Sequence, residues 1–473
     1  ALPGVQAVVR TERDVALDKE LSKARRRRKG GAAEDRALAA GPPLESGEEL
    51  RRAREKQLTR RAKEALRPES HGAAQYPFVF TSGPAGGAGG AMLSMFGTKY
   101  ALPAGTARDE FADHEEITIP VMRTAPRRDT EQPVAIADMD PLCAHTFRKY
   151  SALNRIQSII YPTAYGTNEN ILLSAPTGAG KTDVALLTIL RTIAQFCTPR
   201  PADLAWTAGA DRKPALAVAK AEFKIVYVAP MKALAAEVTE KYQSRLRWLG
   251  ITCRELTGDM QLTKAEVAAT QIIVTTPEKW DVVTRKGSGD TDLVDRVRLL
   301  IIDEIHLLNE DRGSVLEALV ARTRRQVEAR QRMIRLVGLS ATLPNYVDVA
   351  AFLGVNPQRG LFYFDGGFRP VPLEQHFVGV HAKPGSPAAA RLLNRVCYER
   401  VSRLVAEGHQ VMVFVHARKD TVGTARALRE LAQADGALDS FAAPPDAGRH
   451  AQLAARVARA RGREVRELFP AGF

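Results

Sequence analysis

Ala175-Pro176-Thr177-Gly178-Ala179-Gly180-Lys181-Thr182 sets two glycines just ahead of a lysine and a threonine. Glycine lets a backbone turn tightly enough for its amides to surround a phosphate. A lysine closing such a turn reaches the β- and γ-phosphates of a nucleotide, and the next hydroxyl ligates Mg²⁺. Ala175 stands where the usual pattern begins with glycine. The turn lies between Ile171-Leu172-Leu173 and the apolar stretch 184–190, the order of strand, turn and helix. A helix starting near Lys181 adds its positive dipole end to the same place. Farther on, Asp303-Glu304-Ile305-His306 follows Leu299-Leu300-Ile301-Ile302. Carboxylates at the end of a buried parallel strand emerge at the edge where open α/β sheets bind ligands. Asp303 is suited to hold Mg²⁺ through its water shell. Glu304 is suited to orient and deprotonate an attacking water, while Lys181 and the metal neutralise charge on the transferring phosphoryl group.

These side chains need a scaffold, and the pattern around them supplies an α/β one. Residues 147–364 read as alternating strands and helices, hence a parallel sheet covered on both faces. Strands are predicted at Ile171–Ser174, 225–229, Ile272–Thr275, 299–303, 334–339 and Leu361–Phe364, with helices at 183–196, 234–249, Lys264–Ala269, 314–330 and 345–352. The Ala- and Pro-rich stretch 199–221 reads as a surface insertion. After Arg369-Pro370-Val371-Pro372 a second α/β unit is expected: 373–380 extended, a helix at 392–407, a strand at 411–415 and a helix at 421–433. That is too few elements to close a second sheet. The expected domains are a leader over 1–100, an extended arm over 101–146, the sheet domain over 147–366 and an incomplete second unit over 367–473.

The chain has 473 residues, net charge +14 and a pI near 9.7, a balance that favours anionic partners such as nucleic acid. Half of that charge sits in the first hundred residues, which hold 19 basic and 12 acidic side chains. This leader, with its basic runs at 22–29 and 51–63 and a Gly-rich linker at 82–90, is expected to be disordered. Residues 102–122 read as an extended arm with one edge strand ending at Pro120. Cys143, Cys197, Cys253 and Cys397 lie too far apart to suggest a metal site or a disulfide framework. No apolar run is long enough to span a bilayer, so no membrane partner is expected.

The segments 175–182, 303–306 and 340–342 resemble motifs I, II and III of the superfamily 2 helicases of the DExH group. Longer stretches, including Gly338-Leu339-Ser340-Ala341-Thr342-Leu343-Pro344 and Phe368-Arg369-Pro370-Val371-Pro372-Leu373, resemble the large tandem-cassette members. The resemblance covers about 102–473 and implies a RecA-like lobe, the start of a second RecA-like lobe, and ATP with Mg²⁺ as cofactors. It puts Ala175, Pro176, Thr177, Gly178, Ala179, Gly180, Lys181 and Thr182 around the phosphates. Thr182 and Asp303 fall at the metal, and Lys181, Asp303, Glu304 and His306 at the chemistry. Leu153-Asn154-Arg155-Ile156-Gln157 is similar to the family's adenine-reading motif, which sets Gln157 against the base; the residues alone suggest a helix-surface position.

The same resemblance implies a strand grip at Pro230 and Lys232, at Thr257, Gly258 and Asp259, and at Thr276, Pro277, Glu278 and Lys279. Hydroxyls, helix-start amides and single lysines suit phosphates, not base edges. Ser340 and Thr342 would couple nucleotide to strand movement. The implied activity is ATP-driven unwinding of RNA or DNA, with single-stranded nucleic acid as partner. A multiprotein complex, cointegrator- or ribosome-associated, and a nuclear or cytoplasmic location are also implied. The resemblance is shared between a cointegrator-complex type, linked to stalled-ribosome or alkylation-damage work, and a spliceosomal type; the residues are also compatible with a nucleotide-regulated interaction module without unwinding of its own. No Gln-x-x-Gly-Arg-x-Gly-Arg segment of the second lobe occurs. Such an arginine can be worth ~10³–10⁵ in rate. The chain, which opens on Ala1, is therefore expected to be an amino-terminal piece of a longer helicase that hydrolyses ATP slowly alone.

Overall fold

Val79–Phe80 (β1), Ile171–Ser174 (β2), Lys224–Val228 (β3), Cys253–Leu256 (β4), Ile272–Thr275 (β5), Val297–Ile302 (β6), Arg335–Ser340 (β7) and Leu361–Phe364 (β8) form one eight-stranded sheet in the computed structural model. The order across it is β1-β8-β2-β7-β6-β3-β5-β4, and every pairing is parallel. The structure describes residues 76–81, 92–95, 98–102, 105–122, 126–127, 131–204, 214–258, 263–285, 291–442 and 447–473. The basic runs of the leader, the Gly-rich linker and Asp259 lie outside them.

The aliphatic runs explain the parallel topology, because strands buried on both faces need helices above and below. Alternation sends Leu172, Val226, Ile273, Leu300 and Ile302 to one layer, under helices Gly313–Arg330 and Tyr346–Leu353. Leu173, Ile225, Tyr227, Ile272 and Ile301 face the other layer, under Arg155–Ala164, Lys181–Ala194 and Lys232–Leu246. Each aliphatic side chain fully buried there contributes roughly 1.5–3 kcal/mol. Parallel pairing has a further consequence: β2 to β7 all end at one edge, so the loops that follow them are neighbours.

The strands at 171–174, 272–275 and 361–364 match their predicted bounds, and the others shift by a residue or two. Two were missed. β4 is an edge strand whose Arg254 and Glu255 are half-buried, so it carries no aliphatic run. β1 lies within the stretch expected to be disordered; Phe78 and Phe80 stack on Phe362 and Phe364 at 4.7 and 5.1 Å, which pins the strand to β8. Met92–Met95 and Thr98–Ala101 also pair there, as an antiparallel hairpin. The expectation of disorder over 1–100 therefore fails for these segments. The insertion after residue 198 is tied at its base, where Cys197–Thr198 pairs with Ala217–Val218.

The region after residue 366 departs further from expectation. Gln375–Val380 does not open a parallel unit. It pairs antiparallel with His114–Ile119, which also pairs with Ala107–Glu110. The arm's strand is thus the central one of three, not an edge. Contacts to the buried Glu116 favour this pairing: its carboxylate accepts from His376 Nδ1 at 2.8 Å and pairs with Arg400 of helix Pro387–Ala406. Helices Pro387–Ala406 and Arg418–Ala434 form near their predicted places. The strand predicted at 411–415 does not form. A strand needs partners for its backbone hydrogen bonds, and none of the described strands lies beside it; Met412 and Phe414 are 76% and 87% exposed. No helix among the described residues is long and apolar enough to cross a membrane.

Candidate active site and nucleic-acid interface

The turn after β2 is built by glycine. Gly178 and Gly180 have φ of +81° and +87°, the left-handed region that side chains resist. A Cβ at Gly180 would stand 2.5 Å from Gln157 Nε2, whereas one at Gly178 would meet nothing within 4 Å. The turn is therefore braced on one side and open on the other. Asn154 and Gln157 supply the brace. They cap helix Arg155–Ala164 reciprocally: the Gln157 amide donates to Asn154 Oδ1 at 2.8 Å, and the Asn154 amide donates to Gln157 Oε1 at 3.0 Å. Their remaining N–H groups donate to the turn, Asn154 Nδ2 to Ala179 O at 3.0 Å and Gln157 Nε2 to Gly180 O at 3.3 Å. Gln157 is accordingly buried at 6% exposure and not on the helix surface.

Lys181 begins the next helix, and its Nζ donates to the carbonyls of Ala175 and Pro176 at 3.1 and 3.3 Å. Burial lowers its pKa, opposed by the charges of Glu304 and Asp303. Ala175, Pro176 and Ala179 are buried, while Thr177 and Gly178 face outward. Thr182 O accepts from Tyr242 at 3.0 Å. Arg369, which the sequence reading did not assign to the site, donates to Thr177 Oγ1 at 3.1 Å.

Across the edge, β6 delivers Asp303. Its Oδ2 accepts from Tyr227 Oη at 2.6 Å, and its Oδ1 accepts from the Glu304 amide at 3.0 Å. Burial raises the Asp303 pKa, and the Tyr227 bond opposes the rise. Burial also pushes the Tyr227 phenol well up, so it stays a donor. Tyr227 was missed; the only signal was a phenol inside the fully buried strand Lys-Ile-Val-Tyr-Val, where a hydroxyl needs a partner. Glu304 turns the chain out of the sheet with φ +51°, left-handed for a residue with a side chain, a strain of order 1–3 kcal/mol. Its Oε2 is buried without a hydrogen-bond donor, 3.4 Å from His306 Nδ1. Ser340 Oγ also stands 3.4 Å from His306 Nδ1, and Ser340 O accepts from the Ala175 amide at 3.1 Å. Ser340 thus touches both the phosphate turn and the carboxylate segment, while Thr342 is exposed. Ser174 adds a second tie, accepting from the Leu343 amide at 3.0 Å and donating to Ala341 O at 3.1 Å.

The arrangement fits a nucleotide and a divalent cation. It offers an open glycine turn at a helix start, an ammonium, a hydroxyl and a buried carboxylate at one edge, and an acceptor oxygen with no donor. Lys181, Thr182 and Asp303 would hold the phosphates and the cation.

Beyond β3, β4 and β5 the same edge continues as a polar face. Lys279 Nζ donates to Gly258 O at 3.0 Å, and a Cβ at Gly258 would overlap the Lys232 ammonium. Two lysines from the first turns of different helices therefore converge beside one glycine. Thr257 donates to Glu255, and Thr276 O accepts from the Trp280 amide at 3.0 Å as helix Pro277–Arg285 begins. Pro230 and Pro277 are buried and Lys232 is exposed. Glu278 pairs with Arg312, which keeps its carboxyl below the usual range; Arg312 also donates to Pro230 O and was missed in the sequence.

Residues 154–349 match the family described as DEAD/DEAH box helicase. The chain is 50% identical over 401 residues to the RQC trigger complex helicase SLH1 of Saccharomyces cerevisiae, covering 84% of this chain and 20% of that protein. It is 47% identical over 480 residues to activating signal cointegrator 1 complex subunit 3 of Homo sapiens, covering 99% and 21%. It is 50% identical over 374 residues to the DExH-box ATP-dependent RNA helicase DExH14 of Arabidopsis thaliana, covering 79% and 16%. The chain spans about a fifth of the length of the curated relatives it matches.

Proposed function

The chain belongs to the DExH group of the DEAD/DEAH-box helicases, and from that premise we propose that it is the nucleotide-hydrolysing, strand-gripping lobe of an ATP-driven RNA translocase. The observation that carries the reading is one sheet edge that joins Lys181, Asp303 and Glu304 to the two lysines at Gly258. Bound Mg²⁺ supplies electrostatic stabilisation to phosphoryl transfer. The protein's part is positioning. The amides of 177–182 and the Lys181 ammonium orient the phosphates, and Tyr227 fixes the Asp303 carboxylate. Glu304, whose Oε2 lies 3.4 Å from His306 Nδ1, would orient the attacking water and take its proton. Ser340 links these groups, so a change at one reaches the other.

RNA is preferred to DNA because the Arabidopsis relative is named an RNA helicase. Membership of a cointegrator-type or RQC-trigger-type complex is supported by the names of the human and yeast relatives; work in the nucleus or cytoplasm is part of the same proposal. The test is ATP hydrolysis, with and without oligouridine, by this chain beside one extended through the second lobe. For the extended chain the reading expects stimulation by the oligomer and its loss in Lys181→Ala; turnover that survives Lys181→Ala contradicts it.

A further inference from the structure

Arg312 uses both edges of its guanidinium on two of the polar loops. Nε and Nη2 donate to Glu278 Oε1 and Oε2 at 2.5 and 2.8 Å, and Nη1 donates to Pro230 O. We propose that Arg312 is a positioning residue that locks the 230–232 loop to the start of helix Pro277–Arg285, and that Glu278 serves the bound strand only by holding Arg312. This rests on the nucleic-acid reading above.

Three observations carry it. The two-pronged pair fixes the plane of the guanidinium, which a point charge could not do. Arg312 immediately precedes helix Gly313–Arg330, and that helix is anchored to helix Pro277–Arg285 again farther along: Arg322 Nη2 donates to Asp281 Oδ1 at 2.7 Å and Nη1 to Thr284. The short 3₁₀ turn Ile305–Asn309, which starts at Glu304, leads directly into this corner. A shift of the catalytic carboxylate segment is therefore transmitted to two strand-contacting loops together. The pair is a third to a half exposed, so its ion-pair strength is small. What it contributes is register.

The proposal gives an unusual sign. Glu278 is an anion on a phosphate-binding face, so simple electrostatics says that removing its charge tightens binding. Positioning says the reverse. Fluorescein-labelled oligouridine is titrated by anisotropy with the unaltered chain, Glu278→Gln, Arg312→Lys and the double variant, over a series of salt concentrations. Both near-isosteric single variants are expected to weaken binding roughly threefold to tenfold, and the double variant no further, as expected for residues acting as a unit. The slope of log affinity against log salt stays unchanged in all three. Lys279→Ala, which removes a phosphate contact, lowers that slope by ~1. Tighter binding by Glu278→Gln, full affinity in Arg312→Lys, additive losses, or a lowered slope in Arg312→Lys overturns the proposal. An unaltered chain that binds no oligouridine overturns the reading beneath it as well.

Discussion

The sheet around β2 to β7 and the segment 411–415 start from similar sequence. Both are short apolar runs followed by a turn and a helix. In the first region the runs are buried: β2, β5 and β7 have no exposed residue. In the second, Met412 and Phe414 face solvent and no ladder forms. Helices Pro387–Ala406 and Arg418–Ala434 fold beside it because their hydrogen bonds are local, whereas a parallel strand depends on partners distant in the chain. Chemistry in this architecture needs several strand ends brought to one edge, and only the first region has them. The carboxylates, the phosphate turn and the lysine pair are all products of that closure.

The largest loss is expected at Glu304. In a chain extended through the second lobe, Glu304→Gln is expected to lower stimulated ATP hydrolysis by ~10²–10⁴, the usual worth of a general base, with nucleotide binding retained. Steady-state turnover beside nucleotide titration checks this. Next in size is the sheet itself: Leu172→Ala, at 0% exposure, should destabilise the fold by about 2–5 kcal/mol in a urea titration. Phe414→Ser is the matched change in the open region and should stay within about 0.5 kcal/mol. Equal losses at the two positions would erase the comparison.

Smaller effects are expected around Asp303. Tyr227→Phe removes a bond that holds the Asp303 pKa down, so the acid limb of the hydrolysis–pH profile should move upward. A profile that stays in place would separate Tyr227 from the carboxylate. Asp303→Asn tests the stability side. A carboxyl raised by burial is charged at neutral pH at the expense of the fold, and that cost disappears once pH falls below its ordinary range. The variant should therefore melt a few degrees higher than the unaltered chain near pH 7, with the gain vanishing in acid.

Much of the first region was legible. Ile171–Ser174 and Ile272–Thr275 are aliphatic runs bounded by turn residues, and Gly-Lys-Thr after one and Asp-Glu after another fix their direction and edge. What was not legible depends on pairs remote in sequence. Tyr227 meets Asp303, Arg312 meets Pro230 and Glu278, and Gln375–Val380 finds His114–Ile119; local periodicity contains none of these. Without the family resemblance Gln157 reads as a helix-surface position, yet its side-chain amide joins the cap to the glycine turn. The 411–415 prediction failed for a related reason: hydrophobic alternation reports the tendency to pair, not the presence of a partner.

The central claim is that one sheet edge binds nucleotide through Lys181 and acts on it through Glu304. Titration of a fluorescent ATP analogue, with Mg²⁺, into the unaltered chain, Lys181→Ala and Glu304→Gln tests it without requiring turnover. The account predicts matching affinities for the unaltered chain and Glu304→Gln, and at least tenfold weaker binding by Lys181→Ala. Equal binding by Lys181→Ala would contradict it.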